Sequence, residues 1–576
     1  MPRALGTAPP PVATVNMIFS GVVEMTNLLT GKVVANTITK SNCSRESLFI
    51  PANGLIYASP KHCTCWPMLR GYVAMAPEHP GSKNGAYPPD LPVDKIQFAL
   101  TQEGAEVDPG AAKAQASDWP MYRHDAWRSS SSTTGGPKQT EVLWTAAIAP
   151  EKSPLANTSP LLFDWNDNPF VKGPLSPPTI ANGLAYLARP DAHEVVAVDT
   201  ASGKVAWRFT ARGRVDTPPT IHNGLALFGD HAGYVHALRA DNGKPVWRFQ
   251  AAPIDERMGA YGQIESAWPV AGSVLVIDDN AYFVAGRQAL SDGGVFIFAV
   301  DAMSGEKHWV QKLNSIPQKS YDGENDESFG FYQNSGLEFD PIDLLHKEGD
   351  RIAMSRWLVS MDGKDIEVGA WSGFAKLDTG KGSVYAPRGT WTYGPRQIHR
   401  FANEAFRRPL CVWRDNTIVG ALNSTTALYR RNFDLENGEK FDSKWITGWA
   451  AAGEARKGGR PYRSDRLAEK ATWKVNPWVD STDPKVLLTP TTVEGQTQLQ
   501  NKLYGMVMDS QNHLYVVHQD GSLKVINTTD GSTLSESKVP APIWDGLALA
   551  EGKLFLSTAA GQLVCIGDAA KVADTR

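Results

Sequence analysis

Apolar residues recur at every second position in short runs along most of this chain. Asn-Gly, Asp-Gly and Ser-Gly turns separate the runs. The stretch "SPPTIANGLAYLARPDAHEVVAVDTASGKVAWRF", ending at Phe209, shows the pattern best. "TIANGLAYL" reads as two strand arms around Asn182-Gly183, a strong hairpin signal. "EVVAVD" is a short apolar strand. "TASGK" is a turn in which Gly203 can take the positive φ that other residues resist. "VAWRF" is the outer strand. Alternation with a period of two over so few residues predicts strands, four to the unit.

The unit then repeats. "TPPTIHNGLALFGDHAGYVHALRADNGKPVWRF" ends at Phe249, so Gly203 and Gly243, like Trp207 and Trp247, stand 40 residues apart. A period near 40 built from β-type residues is propeller spacing, since one four-stranded sheet cannot bury both faces alone and radial stacking solves that problem. A third copy, "DDNAYFVAG…VFIFAVDAMSGEKHWVQKL", keeps Gly305 ahead of Trp309 with the same offset. "DSQNHLYVVHQDGSLKVINTTDGSTLSES" is a further copy, and "LAEGKLFLSTAAGQLVCIG" stops before its last strand. Near the start, "VVEMTNLLTGKVVANT" reads as the last two strands of a unit, with Asn27 in the usual Asp place.

The fold class that follows is all-β: a single β-propeller of four-stranded blades, about eight, with seven as the alternative. The N-terminal strands are expected to complete the C-terminal blade, closing the ring and leaving no long edge. Residues 1–15 read as a tail, 16–568 as the propeller with insertions near 77–117 and 450–475, and 569–576 as a C-terminal tail.

The strand "VVAVDTASGKVAWRF" resembles the tryptophan-docking repeat of the pyrroloquinoline-quinone-like (PQQ-like) β-propellers. That superfamily includes quinoprotein alcohol dehydrogenases and the outer-membrane barrel-assembly lipoprotein, so the repeat implies a fold and leaves the chemistry open. Further segments, among them "DWPMYRHDAWRSS", "APIDERMGAYGQIESAWPVAGSV" and "WDGLALAEGKLFLSTAAGQLVCIG", resemble exported PQQ-like propeller proteins of planctomycete-type bacteria. Quinoprotein dehydrogenases carry two adjacent cysteines over the quinone. Here Thr64 separates Cys63 from Cys65, and no C-x-x-C-H haem motif is present, which speaks against a quinone cofactor.

Composition narrows the partners. The formal net charge is −4 over 576 residues with no block of like charge, so no nucleic-acid footprint is expected. No apolar stretch is long enough to span a bilayer. Three of the five cysteines, Cys43, Cys63 and Cys65, lie close together, which favours an oxidising, periplasmic or extracellular compartment with the signal peptide removed or not included. The hairpin around Asn53-Gly54 should return Cys43 beside Cys63 or Cys65, and a disulfide is the simpler outcome. A metal held by Cys43, Cys63, Cys65 and His62 is the alternative. No other cofactor is expected. Cys411 and Cys565, in apolar strands, read as core residues.

Propeller chemistry usually sits at one mouth of the channel. "DERMGAYGQIESAWPV" interrupts the repeat with polarity that packing does not require. On a strand, Tyr261, Gln263 and Glu265 would share one face, with Arg257 at the approach, and Ser266 and Trp268 follow. "AGRQALSDGG" adds Arg287 and Asp292, and "YRHD" places His124 beside Asp125. One reading is a propeller that binds a small molecule, carbohydrate or protein partner at the mouth in a scaffold-type role. The rival is a carbohydrate-active, polysaccharide lyase-like enzyme. In it Tyr261 or His124 is the base, Arg257 and Gln263 neutralise a uronate, and Glu265 completes the catalytic set. A structural reading, in which these groups pair with one another and hold the blades, stands beside both.

Overall fold

The computed structural model describes residues 11–19, 25–34, 49–58, 73–76, 81, 85, 87–107, 113–149, 174–260, 263–287, 292–314, 345–354, 357–368, 374–378, 383–387, 410–421, 426–432, 471–479 and 503–568. Their regular structure is antiparallel strand with a few 3-10 turns, an all-β chain of the propeller type. The first full repeat runs Thr179–Ala181, Leu184–Arg189, Glu194–Asp199 and Val205–Thr210, each strand paired with the next. The second runs Thr220–His222, Leu225–Gly229, Tyr234–Arg239 and Pro245–Gln250. The third runs Leu275–Ile277, Asn280–Ala285, Val295–Asp301 and Lys307–Leu313. The strand assignments read from the alternation around Asn182-Gly183 and from "VAWRF" therefore hold.

Sheets stack through their innermost strands. Cys411–Arg414, Leu503–Met508, Pro542–Ala550, Thr179–Ala181, Thr220–His222 and Leu275–Ile277 follow one another as spatial neighbours. Threonine hydroxyls tie some of these steps: Thr179 Oγ1 donates to the Pro219 carbonyl (2.7 Å) and Thr220 Oγ1 to the Val274 carbonyl (2.5 Å). The two middle strands of each full repeat are almost wholly buried, Val195 to Val198 and Leu225 to Phe228 among them. Their apolar side chains on both faces meet the sheets on either side.

The join at the ends differs from the expectation. The C-terminal sheet, Pro542–Ala550, Lys553–Thr558 and Gln562–Gly567, takes its fourth strand from Glu141–Ala147, with Cys565 opposite Trp144. "VVEMTNLLTGKVVANT" does supply the last two strands of a unit, Met25–Asn27 and Val33–Val34, but that unit is its own, completed by Val12–Ala13 and Met17–Phe19. The physical reason is the aromatic residue. Glu141–Ala147 carries the tryptophan that an outer strand needs, and the N-terminal segment offers valines instead. At the seam Asp568 Oδ1 accepts from the Gln139 amide (2.6 Å), an Asp-type turn made across two separate stretches of chain. The expected insertion near 77–117 contributes Leu100–Gln102 as a fifth strand beside Pro245–Gln250, with Phe98 packed on Phe249 and Phe298. Most of the 450–475 insertion lies outside the described residues, and Trp473–Val475 at its end is an outer strand.

Each outer-strand tryptophan crosses to the next sheet. Trp144 lies on Gly203, Trp207 on Gly243, Trp247 on Gly305, Trp309 on Gly363 and Trp473 on Gly531. The glycines have φ between +70° and +81°, and a Cβ at Gly203 would stand 2.8 Å from the Trp144 ring. Glycine is therefore required twice over, for the turn and for the approach. Each indole Nε1 also donates to a carbonyl of that turn: Thr200, Ala240, Ala302, Met361 and Thr528, at 2.9–3.3 Å.

The axis is occupied by the chain itself. Residues 118–134, containing "WPMYRHDAWRSSSSTT", run across the inner strands and bond to several. Trp119 exchanges backbone hydrogen bonds with Ile180, and Pro120 accepts from Ile221. Ala126 accepts from Lys347, Ser129 from Trp413 and Ser130 from Met508. Arg123 pairs with Asp545 (2.9 Å), which also accepts from the Tyr122 hydroxyl (2.5 Å), and Arg128 donates to the Leu345 carbonyl (3.1 Å). Arg123, His124, Arg128 and Ser130 all have positive φ, the sharp bends that let one strand of chain address sheets on different sides.

Trp144→Ala should remove both the indole packing on Gly203 and its hydrogen bond to Thr200 at the seam. A loss of about 3–5 kcal/mol in urea unfolding is expected. Deleting residues 1–40 should leave the unfolding midpoint of the repeats unchanged, because the seam strand is retained. A midpoint that falls as far on deletion as in Trp144→Ala would place the closure in the N-terminal strands after all.

Candidate functional site at the channel mouth

Between the second and third repeats the chain inserts a hairpin, Arg257–Ala260 paired with Gln263–Ser266. Alternation along the second arm sends Gln263 and Glu265 to one side and Ile264 to the other. The inner side is anchored. Gln263 Oε1 meets His193 Nε2 at 2.9 Å, and His193 occupies a turn of the first repeat. Glu265 is buried and enters a charged cluster with Arg214 and Asp216, which precede the second repeat, His231 in its middle turn, and Arg287 in the matching turn of the third.

The cluster is nearly closed on itself. Asp216 Oδ1 accepts from Arg214 Nε (2.8 Å) and its Oδ2 from His231 Nε2 (2.8 Å). Glu265 Oε2 faces His231 Nδ1 (2.9 Å) and Arg287 (2.7 Å), and its Oε1 lies 3.1 Å from Arg214 Nη1. An imidazole with a carboxylate at each nitrogen is held as the cation. Burial opposes that charge, but the Glu265 and Asp216 carboxylates outweigh it against Arg214, and the His231 pKa is raised. Burial would likewise raise Glu265, yet Arg214, His231 and Arg287 together hold its carboxyl well below the usual range. Asp216 is also lowered: burial is outweighed by Arg214 and His231.

The remaining candidates fall in different places. Ser266 receives the Trp268 amide (3.0 Å), and Trp268 is buried, donating its indole N–H to the Asp292 carbonyl (3.0 Å). Arg287 thus meets Glu265, and Asp292 meets Trp268 through its backbone. Arg257 pairs with Asp255 (2.9 Å) on the surface. His124 belongs to the axis segment, 3.3 Å from Asp125 and against the Trp119 ring, in a network separate from that of Glu265. Tyr261 lies outside the described residues, as do Cys43, His62, Cys63 and Cys65. Cys411 and Cys565 are buried, as core positions. Sequence reasoning missed Arg214 and Asp216. The available signal was their charge at positions where the first repeat has Gly173 and Leu175.

Among the described residues no group of three or more His, Cys, Asp or Glu is arranged to hold a metal. The carboxylate oxygens of Asp216 and Glu265 all face cations of the protein. A calcium, which takes six to eight oxygen ligands, would find none of them open. These residues do not fit a quinone with its calcium. No helix among the described residues is long and apolar enough to cross a membrane.

Comparison with known proteins agrees with the repeat. Residues 136–325 match the family model described as outer membrane protein assembly factor BamB. Over 182 residues the chain is 29% identical to the dehydrogenase subunit of the quinone alcohol dehydrogenase of Gluconobacter oxydans (strain 621H), a match covering 29% of this chain and 23% of that protein. The corresponding subunit of Acetobacter aceti is 24% identical over 178 residues, again covering 23% of its length. The match thus spans less than a quarter of these relatives. Among solved structures, the quinohemoprotein alcohol dehydrogenase of Comamonas testosteroni aligns over 85% of each chain with 14% identity and a TM-score of 0.46. BamB of Moraxella catarrhalis aligns over 68% of this chain and 81% of its own, with 11% identity and a TM-score of 0.29. The repeats within residues 136–325 are similar to those of the assembly-factor family.

The cluster gives stability a pH signature. Glu265, with its pKa lowered on folding, contributes fully above the unfolded value of about 4.3, and that contribution is lost progressively as pH falls from there through its folded value. His231, with its pKa raised, contributes fully below about 6.5 and loses that contribution as pH rises through its folded value. Urea unfolding should therefore show greatest stability at weakly acidic pH. Glu265→Gln should cost about 3–5 kcal/mol by leaving buried cations underpaired, and should flatten both flanks. A variant with the wild-type pH profile would show that the cluster does not titrate as a unit.

Proposed function

We propose that this chain is an exported propeller that binds a protein partner at the channel mouth, in a scaffold-type role. The observation that carries this reading is the Arg257–Ser266 hairpin. Its inner face is tied to the first repeat through Gln263 and His193, and to the second and third through Glu265. Its outer face displays Ile264, 75% exposed, on the same hairpin as the exposed Arg257. A rigid support under an exposed apolar residue and an arginine is the arrangement of an interface hot spot, because little conformational freedom remains to be lost on binding. The occupied axis favours a partner that engages the surface over a ligand that enters the channel. The assembly-factor family matched by residues 136–325 adds an analogy at the level of fold. Export rests on the clustered cysteines and on the resemblance to exported propellers.

The lyase-like reading draws less support. Its arginine and amide have partners in Asp255 and His193, and its candidate histidine is held in the axis segment. A photo-crosslinking residue at position 264, expressed in the native host, should yield a discrete protein adduct that the second substitution Arg257→Glu weakens. Scattered, position-independent adducts would count against the hairpin. Unsaturated sugar product from a polyuronate, or alcohol-dependent dye reduction with pyrroloquinoline quinone and calcium, would overturn the non-catalytic reading itself.

A further inference from the structure

The N-terminal sheet contains one more copy of the turn that receives tryptophan, and none of the described residues sits on it. In the docked turns Asp199, Asp301 and Asn527 cap the following amides through Oδ1 and accept from the glycine amide through the backbone carbonyl. Asn27 does the same. Its Oδ1 accepts from Leu29 (2.9 Å) and Thr30 (3.0 Å), its carbonyl accepts from Gly31 (2.8 Å), and Gly31 has φ +68°. Yet a Cβ at Gly31 would have open space around it. In four of the five docked turns the residue after the capping position is buried: Thr200, Ala240, Ala302 and Thr528 are at most 4% exposed. Its counterpart Leu28 is 48% exposed, beside Leu29 at 83% and Val33 at 59%.

We infer that the Asn27–Gly31 turn is a docking site for a partner protein that presents a tryptophan from an outer β-strand. This chain states the chemistry of the occupant five times over among the described residues: an indole face on the glycine, and an indole N–H donated to the carbonyl after the capping residue. At the vacant turn that carbonyl belongs to Leu28. Leu28, Leu29 and Val33 supply the apolar rim that the neighbouring sheet supplies elsewhere. A second copy of the chain is the poorer occupant, because the five docking indoles among the described residues are already engaged within their own molecule. The site is remote in sequence from the mouth hairpin and independent of it.

The probe is a peptide of residues 194–210, the hairpin that presents Trp207, with 5-fluorotryptophan at that position, mixed with the full chain. The fluorine resonance should shift and broaden on titration, and the Trp207→Ala peptide, carrying fluorine on Phe209 instead, should show no such change. Gly31→Val in the chain should weaken binding by about ten-fold or more, since a branched side chain occupies the seat and strains the turn. Should Gly31→Val perturb the sheet, a diazirine on the peptide tryptophan gives the second readout, and cross-links mapping to residues 27–33 support the site. Equal binding of the two peptides, or cross-links concentrated elsewhere, would overturn the proposal. So would Gly31-dependent self-association of the chain in sedimentation velocity, which would make the occupant a second copy.

Discussion

An indole laid on a glycine turn, with its N–H donated to a carbonyl of that turn, is the contact on which the rest of this molecule depends. Among the described residues it couples five pairs of neighbouring sheets at the outer edge, where the inner-strand packing does not reach. It uses dispersion over a large flat ring and satisfies the ring's only donor, so a buried tryptophan carries no orphan polar atom. It also dictates the composition. Glycine must stand at the turn because both a positive φ and the approach of the ring exclude a side chain, and a small or backbone-only surface must flank it. Where the outer strand Thr533–Lys538 carries no tryptophan, a smaller contact reaches the C-terminal sheet, the hydroxyl pair of Ser537 and Thr140 at 2.7 Å.

Two further devices convert the stacked sheets into a defined surface. The 118–134 segment addresses inner strands on different sides of the axis, so the centre is held by backbone hydrogen bonds and by the Arg123–Asp545 pair. The Arg214, Asp216, His231, Glu265 and Arg287 cluster then joins consecutive repeats beneath the inserted hairpin. Buried charges of this kind are costly unless mutually satisfied, and here almost every carboxylate oxygen meets a cation. Such a cluster confers register more than stability. It fixes the inserted hairpin at one height and orientation and leaves only its outer face to meet solvent.

Much of this was legible residue by residue. The alternation around Asn182-Gly183, the paired Gly203/Trp207 and Gly243/Trp247 and the Asn27 turn all report local backbone preferences, and local preferences are written in neighbouring residues. The polar interruption at Gln263 and Glu265 was visible because it breaks a repeat. Its meaning was not, because Arg214, Asp216 and His231 come from other stretches of chain and only their convergence shows that Glu265 is paired.

The sequence by itself determined the unit: four short strands, a turn that only glycine can make, and a tryptophan awaiting a flat surface. Tertiary structure decided what each tryptophan meets, since an indole four positions after its own turn glycine lies across the boundary on the next one. It also decided which strand completes the C-terminal sheet. Antiparallel pairing is nearly indifferent to sequence distance, so Met25–Val34 and Glu141–Ala147 were both eligible by pattern. Only the second brings Trp144 onto Gly203, and that burial, unavailable to the first, selects it.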